Sequence, residues 1–239
     1  MIKLAVSGCQ GRMGQRITQL ALEDKQFTLT TLLENKNHPQ VAEKINGLTI
    51  HSDPSNLSGS DVLIEFTSPE ATLIDLEACV KYGIKMVIGT TGFSSEQSKK
   101  IRAAAKKIPI VFSSNMSVGV NLLFRLAQMT ASKTKKNYAM NLTEAHHIHK
   151  KDSPSGTAKT LAEIAETASG QKVSDIKSVR EGEIIGDHTI TFESDEDIIT
   201  ISHHAKNRDI FVKGALVAAK FLTDKKTGLY DMQDVLGLK

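Results

Sequence analysis

Between Glu144 and Asp152 the chain gathers three histidines, two lysines and two acids within nine residues, Glu144-Ala-His-His-Ile-His-Lys-Lys-Asp152. Ser153-Pro-Ser-Gly-Thr157 follows at once and reads as a helix start. The first amides of a helix lack intrahelical acceptors, and the helix dipole is positive there, so such an end holds anions. His146, His147 and Lys150 therefore offer proton handling and positive charge beside an anion cradle at Ser155, Gly156 and Thr157. That combination suits a small polyanionic substrate. Either His146 or Lys150 can supply a proton; the choice depends on burial, which spacing does not reveal. A metal reading of His146, His147, His149 and Asp152 is weaker. A strand running through them would turn His147 and His149 to one side and His146 to the other. Lys150 and Lys151 would repel a cation, so no metal is expected.

A second constellation opens the chain. Met1-Ile-Lys-Leu-Ala-Val-Ser7 reads as a strand, Gly8-Cys-Gln-Gly-Arg-Met-Gly14 as a glycine turn entering a helix. In that context Gly8 permits the tight turn, Gly11 admits a pyrophosphate, and Gly14 lets the helix approach the sheet. Cys9, Gln10, Arg12 and Met13 complete the expected cofactor turn. Reaching phosphate and standing as a solvated first-turn residue are equally open for Arg12. Glu34, at the end of the next apolar run, is expected on a cofactor ribose, with Asn35 beside it. Lys36 either meets a 2′-phosphate or is a surface lysine. Gly89-Thr-Thr-Gly92 and Ser113-Ser-Asn-Met116 follow two further apolar runs. Ligands bind outside the carboxyl ends of strands in such sheets, so Gly89, Thr90, Thr91, Ser113, Ser114, Asn115 and Met116 are expected at the cofactor, with plain connecting turns the other reading of each loop taken alone. Thr91 is expected at the substrate as well. Together the two constellations point to a nicotinamide-dependent reductase.

The elements that must position these residues follow from periodicity. Lys3–Ser7, Thr28–Leu33, Val62–Phe66, Met86–Ile88 and Ile110–Phe112 are short apolar runs bounded by turn residues. They read as buried parallel strands separated by helices near 12–24, 70–82 and 94–107, a doubly wound Rossmann-type α/β sheet. The pattern changes after Asn115. An amphipathic helix over 117–135 is expected to carry Val118, Leu122, Leu123, Leu126 and Met129 on one side. Tyr138–Glu144 reads as a strand, 156–169 as a helix. Ile184–Phe192 and Ile198–His203 read as an antiparallel pair around a Ser194–Asp197 turn. This second part is an α+β domain with a mixed, largely antiparallel open sheet whose bare side should be apolar. The expected division is 1–117 with 208–239 for dinucleotide binding, and 118–207 for substrate binding and oligomerisation. His188, His203 and His204 are read as surface or interface residues.

Composition agrees with a soluble globular chain of 239 residues: 40% hydrophobic, 24% charged, net charge +3. That charge is too mild for a nucleic-acid surface, and with 5% aromatics and no Trp there is no stacking platform. No segment suggests a membrane span, and the N-terminus lacks a signal-peptide pattern, so the cytoplasm is expected. Cys9 and Cys79 read as reduced core thiols. A thiol-dependent acylating dehydrogenase would need its cysteine in the second domain, where none occurs.

These motifs support a resemblance that runs through most of the chain. Gly8–Gly14, Glu65-Phe-Thr67, Val87–Phe93, Asn115–Asn121, Glu144–Ala158 and Gly228–Met232 resemble the 4-hydroxy-tetrahydrodipicolinate reductase (dihydrodipicolinate reductase) family of the diaminopimelate and lysine pathway. The resemblance implies NADH- or NADPH-dependent reduction of 4-hydroxy-tetrahydrodipicolinate to tetrahydrodipicolinate. The substrate, a cyclic dicarboxylate, would lie between the domains, and four copies would assemble through the second domain's sheet. It places the proton-transfer histidine at His146, the substrate histidine at His147, the general-acid lysine at Lys150 and the carboxylate cradle at Gly156 and Thr157. Many members carry Arg where this chain has Asn35, which leaves the usual 2′-phosphate clamp open. Two other classes fit the residues alone: a nicotinamide oxidoreductase of similar layout on another substrate, and a non-enzymatic nicotinamide sensor.

Overall fold

A computed structural model describes all 239 residues. The strands and helices, in chain order, are β1 (Ile2–Ser7), α1 (Arg12–Glu23), β2 (Phe27–Leu33), β3 (Lys44–Ile45), β4 (Leu48–His51), β5 (Val62–Glu65), α2 (Pro69–Tyr82), β6 (Lys85–Ile88), α3 (Ser95–Ala104) and β7 (Pro109–Phe112). Then follow α4 (Val118–Thr134), β8 (Ala139–His146), α5 (Gly156–Ser169), β9 (Asp175–Arg180), β10 (Asp187–Glu193), β11 (Ile198–His204), α6 (Asp209–Leu222), β12 (Gly228–Tyr230) and α7 (Met232–Val235). They form two compact units: Met1–Met116 with Phe211–Gly237, and Ser117–Ile210.

The first unit is an eight-stranded sheet in the order β12-β7-β6-β5-β1-β2-β4-β3, parallel except for the β3–β4 pair. Its central strands are apolar on both faces: Leu4, Val6, Val62, Leu63, Ile64, Met86, Val87 and Ile88 are buried. The chain steps from β1 to β2 on one side and later to β5 on the other. The crevice at this reversal, beyond the ends of β1 and β5, is where such sheets bind ligands. Gly8 turns the chain there with φ +73°, and a Cβ on it would meet the Phe66 carbonyl oxygen at 2.6 Å. A Cβ on Gly14 would sit 2.0 Å from the Gly8 carbonyl oxygen, so this glycine sets how closely α1 enters the turn. Three elements went unread in the sequence: the β3–β4 hairpin, edge strand β12 and α7.

The second unit is a four-stranded sheet in the order β11-β10-β8-β9, with two antiparallel pairs and β8–β9 parallel. The period of two sends Met140, Leu142, Glu144 and His146 of β8 to the buried face, with His188, Ile190 and Phe192 of β10 beside them. Helices α4 and α5 supply the rest of this core through Val120, Leu123, Phe124, Ala127, Leu161 and Ala165. Two expectations are corrected here. On α4 only Leu123 of the predicted stripe is buried, while Val118, Leu122, Leu126 and Met129 are exposed. The inward face combines Val120, Leu123 and Phe124 with Ala127 and Ala131, whose small side chains admit α5 closely and carry little weight in a hydrophobic stripe. The bare face of the sheet is also mainly polar: Asn141, Thr143, Thr189, Thr191, Thr200 and Ser202 lie on it, and Thr189 and Ser202 hydroxyls pair at 2.6 Å. Exposed Ile198 is its large apolar exception. No helix is long and apolar enough to cross a membrane.

The Gly14 contact generates a test. Gly14→Ala must displace α1 from backbone atoms that cannot rotate away, so it should destabilise the fold by about 1–3 kcal/mol in denaturant titration. It should also weaken nicotinamide cofactor binding measured by fluorescence. Unchanged values of both would show that α1 is not seated as described.

Candidate active site

The cofactor half is built from backbone. Gly8 and Cys9 amides both donate to the Leu33 carbonyl oxygen (3.0 and 3.1 Å), which ties the end of β1 to the end of β2. Glu34 follows β2 directly; its Oε2 accepts from the Gln10 amide and its Oε1 from the Asn35 amide, each at 2.8 Å. Helix α1 begins without any side-chain cap, so its first-turn amides at Arg12 and Met13 face the turn. A cleft of about 580 Å³ opens here, lined by Gly8, Gly11, Glu34, Asn35, Lys36, Phe66 and Thr67 among others. A second cavity of about 250 Å³ shares Phe66 and is lined by Met13, Gly89, Ser113, Ser114, Asn115 and Met116. Most of the expected cofactor residues are thus brought to two adjoining hollows in the first unit. An uncapped helix start, a glycine turn and a carboxylate at the next strand end fit a dinucleotide.

Some expected contacts have other work. The Cys9 thiol is buried, and burial reinforced by the Glu34 charge pushes its pKa up to about 12, so only its backbone is chemically relevant. Cys79 is likewise buried and unpaired with Cys9. Thr90 donates its hydroxyl to the fully buried Glu65 at 2.6 Å. Glu65 also accepts the Thr67 amide at 2.7 Å and the Thr67 hydroxyl, so it fastens the loop after β5 to the loop after β6. A Cβ on Gly89 would strike the Phe66 ring at 2.2 Å, which keeps that position open between the two loops. Thr91 and Arg12 are exposed.

The second unit holds the histidine cluster. Strand β8 ends at His146, and the next residues turn. The strand premise for His147 and His149 therefore does not apply, although their rings do lie near each other, 6.2 Å apart, in the turn. No group of three or more His, Cys, Asp or Glu side chains is placed to hold a metal ion. His146 is buried, and its Nδ1 pairs with Glu144. Glu144 accepts Arg180 Nη1 at 2.9 Å and Nη2 at 2.7 Å, and the Ser155 amide at 3.3 Å. Burial alone would raise the Glu144 pKa; Arg180, with Ser178 and His146, outweighs it and holds the carboxyl at about 2. Burial pushes His146 below the usual imidazole value, against the pull of Glu144. Arg180 Nη2 also donates to the Asp152 carbonyl oxygen at 2.6 Å, and the Asp152 carboxylate pairs with Lys150 Nζ at 2.9 Å. The lysine turn is thereby tied to the same guanidinium.

Ser155 caps α5 through its hydroxyl, which accepts the Ala158 amide at 3.2 Å and meets His188 Nε2 at 3.2 Å. Gly156 and Thr157 occupy the first two helical positions. Sequence reading missed Arg180 and misplaced His188. His188 is 3% exposed, stands edge-on to His146 with ring centroids 5.1 Å apart, and is pushed down to about 4 by burial and by His146. His203 is half-buried and His204 is exposed in a pair with Asp187. The alternation of β10 from His188 to Phe192 was the signal that could have turned His188 inward.

Residues 2–116 match the family model described as dihydrodipicolinate reductase, N-terminus, and residues 119–236 match dihydrodipicolinate reductase, C-terminus. The chain is 42% identical to a 4-hydroxy-tetrahydrodipicolinate reductase of Nitrosomonas eutropha over 100% of this chain and 99% of that protein. It is 43% identical to one of Janthinobacterium sp. over the same shares. The fold matches a dipicolinate-bound dihydrodipicolinate reductase from Paenisporosarcina sp. TG-14 with a TM-score of 0.84 and 22% identity, covering 98% of both chains.

The buried acids of the first unit generate a test of this geometry. Burial raises Asp75 to about 7, the nearby Glu65 adding to it and a Ser7 hydrogen bond opposing it. A carboxyl whose folded pKa lies above its unfolded value of 3.8 loses stability as pH rises from 3.8 to about 7 and stays lower beyond. Asp75→Asn should therefore be more stable than the parent at pH 8, by at most about 4 kcal/mol, and should lose that advantage by about pH 4. Melting temperatures at the two pH values check this. An equal deficit of the variant at both would contradict it. With the two units' geometry and these matches together, the chain belongs to the dihydrodipicolinate (4-hydroxy-tetrahydrodipicolinate) reductase family.

Proposed function

We propose that this protein reduces 4-hydroxy-tetrahydrodipicolinate to tetrahydrodipicolinate with a nicotinamide cofactor, in diaminopimelate and lysine biosynthesis, in the cytoplasm. The observation that carries the reading is the meeting of His146, Lys150 and the α5 start around the Glu144–Arg180 pair. Members of the family share the activity in their names over the full length of this chain. The first unit holds the cofactor, with Gly8, Gly11, Arg12 and Met13 at the phosphates, Glu34 at the ribose, and Gly89 and Ser113–Met116 at the nicotinamide end. When bound, the cofactor supplies a hydride. The second unit holds the substrate. Gly156 and Thr157 receive one carboxylate at the helix start, and His147 and Lys150 neutralise charge.

Lys150 is the proton donor, and His146 is its partner at the site. The Nδ1 of His146 is committed to an anionic carboxylate, so a neutral His146 presents a bare Nε2 and has no proton to give there. Lys150 Nζ, which offers only donor hydrogens, pairs with the Asp152 carboxylate at 2.9 Å. The assembly is a homotetramer through the hydroxyl-rich face of the second unit's sheet, which presents hydrogen-bonding groups to a second copy.

Lys150→Ala should lower kcat about a hundredfold or more while leaving cofactor affinity nearly unchanged, because a proton donor used in the transition state is lost. Near-native kcat would remove Lys150 from the chemistry.

Both NADH and NADPH serve as cofactor. Glu34 accepts the hydroxyls of a free ribose diol and repels a 2′-phosphate, while Asn35 offers no forked guanidinium to offset that repulsion. Exposed Lys36 contributes an attraction of about 0–1 kcal/mol. Neither cofactor should be preferred by more than about tenfold to a hundredfold in kcat/KM. A preference of several thousandfold for NADPH would sink this assignment.

A further inference from the structure

Glu144 has no exposed surface, yet four donors converge on it, three from two other segments and one from its own strand. They are both terminal nitrogens of Arg180 on β9, the amide of Ser155 ahead of α5, and Nδ1 of His146 two residues along its own strand. An ionised carboxylate only accepts hydrogen bonds, so Nδ1 of His146 must carry the hydrogen. The other nitrogen, Nε2, lies beside Gly186, where a Cβ would come within 3.0 Å. We propose that Glu144, clamped by Arg180, is the positioning residue of this reductase: it holds His146 in the Nδ1–H form with Nε2 presented, and it ties the carboxylate cradle and the lysine turn to one point.

The proposal rests on the reading of His146 and Lys150 as the catalytic pair. Its reach comes from register. Strand pairing sets Glu144 opposite Ser178 on one side and His188 on the other, and His146 opposite Arg180. One guanidinium therefore spans the carboxylate and the Asp152 carbonyl, and through Asp152 it reaches Lys150. The charged and titratable groups facing His146 are Glu144 on β8, Arg180 on β9, His188 on β10 and Lys150 in the turn. Glu144 is the one anion among them, so it alone favours the imidazolium, and its neutralisation leaves only groups that oppose protonation. A carboxylate that merely filled space could be replaced by its isosteric amide without moving the histidine's titration.

The test uses the full-length enzyme with ¹⁵N-labelled histidine, His146 being assigned by its absence in His146→Asn. In the wild type at neutral pH the expected spectrum shows a protonated Nδ1 and a bare Nε2. In Glu144→Gln the His146 titration should fall by about one unit or more. Its kcat should drop at least about tenfold with cofactor KM within about twofold, and Glu144→Asp should recover part of the loss. A wild-type His146 carrying its hydrogen on Nε2 would overturn the proposal, whether or not the variant folds. So would a Glu144→Gln enzyme with unchanged titration and kcat. Native kcat in His146→Asn, with the expected wild-type spectrum, would instead overturn the catalytic reading on which the proposal rests.

Discussion

A carboxylate without water is tolerated in a protein interior only when donors meet its lone pairs and a cation balances its charge. Glu144 imposes that condition on the second unit. It is met by a bidentate arginine from the neighbouring strand, a backbone amide from a helix start, and an imidazole nitrogen. Each donor belongs to a segment that the proposed chemistry needs. The arginine carries the lysine turn through Asp152, the amide belongs to the residue that caps α5, and the imidazole is His146 itself. Removing the carboxylate would leave Arg180 as an unpaired, largely buried charge, which is a worse state than the pair. Local stability and site geometry therefore rest on the same contacts.

The first unit solves a different problem. The dinucleotide proposed there carries its charge on phosphates that backbone amides and a helix dipole can hold, so such a site needs room and correct backbone direction more than side-chain cations. Gly8 and Gly14 supply these by what they lack, and the Leu33 carbonyl locks the turn by receiving the Gly8 and Cys9 amides. Glu65 works inside the sheet as Glu144 does in the other unit, holding two loops by threonine hydroxyls. It does so without a cation, and burial raises its pKa. A proton can serve this acid where Arg180 serves Glu144.

What could be read beforehand follows the range of each interaction. The parallel strands and their helices declare themselves in local runs of Val, Ile and Leu, and the glycine turn and the His-Lys segment are contiguous. The α5 cap is a local hydrogen bond as well, from the Ala158 amide to the Ser155 hydroxyl. Arg180 lies 36 residues from Glu144, and only the parallel β8–β9 register brings them together. His188 faces inward because β10 is shared with Ile190 and Phe192, a pattern present in the sequence but weaker than the lure of a lone polar residue on a surface. The β3–β4 hairpin carried its own signal in Asn46-Gly47, both with positive φ, yet strands of two and four residues are too short for periodicity to register. On α4 the conspicuous leucines suggested the inward face, but of them only Leu123 lies there; Val120, Phe124, Ala127 and Ala131 share it, the alanines because close helix packing rewards small size.

The most direct measurement is steady-state oxidation of reduced nicotinamide by the purified protein with freshly generated 4-hydroxy-tetrahydrodipicolinate, set against the enzyme-free rate. Saturable turnover with both NADH and NADPH, giving tetrahydrodipicolinate in equal amount to the cofactor consumed, is the predicted result. Cofactor binding without turnover of this substrate would contradict it and leave the protein a nicotinamide binder. Turnover confined to other carbonyl compounds would contradict it in favour of a reductase with a different substrate.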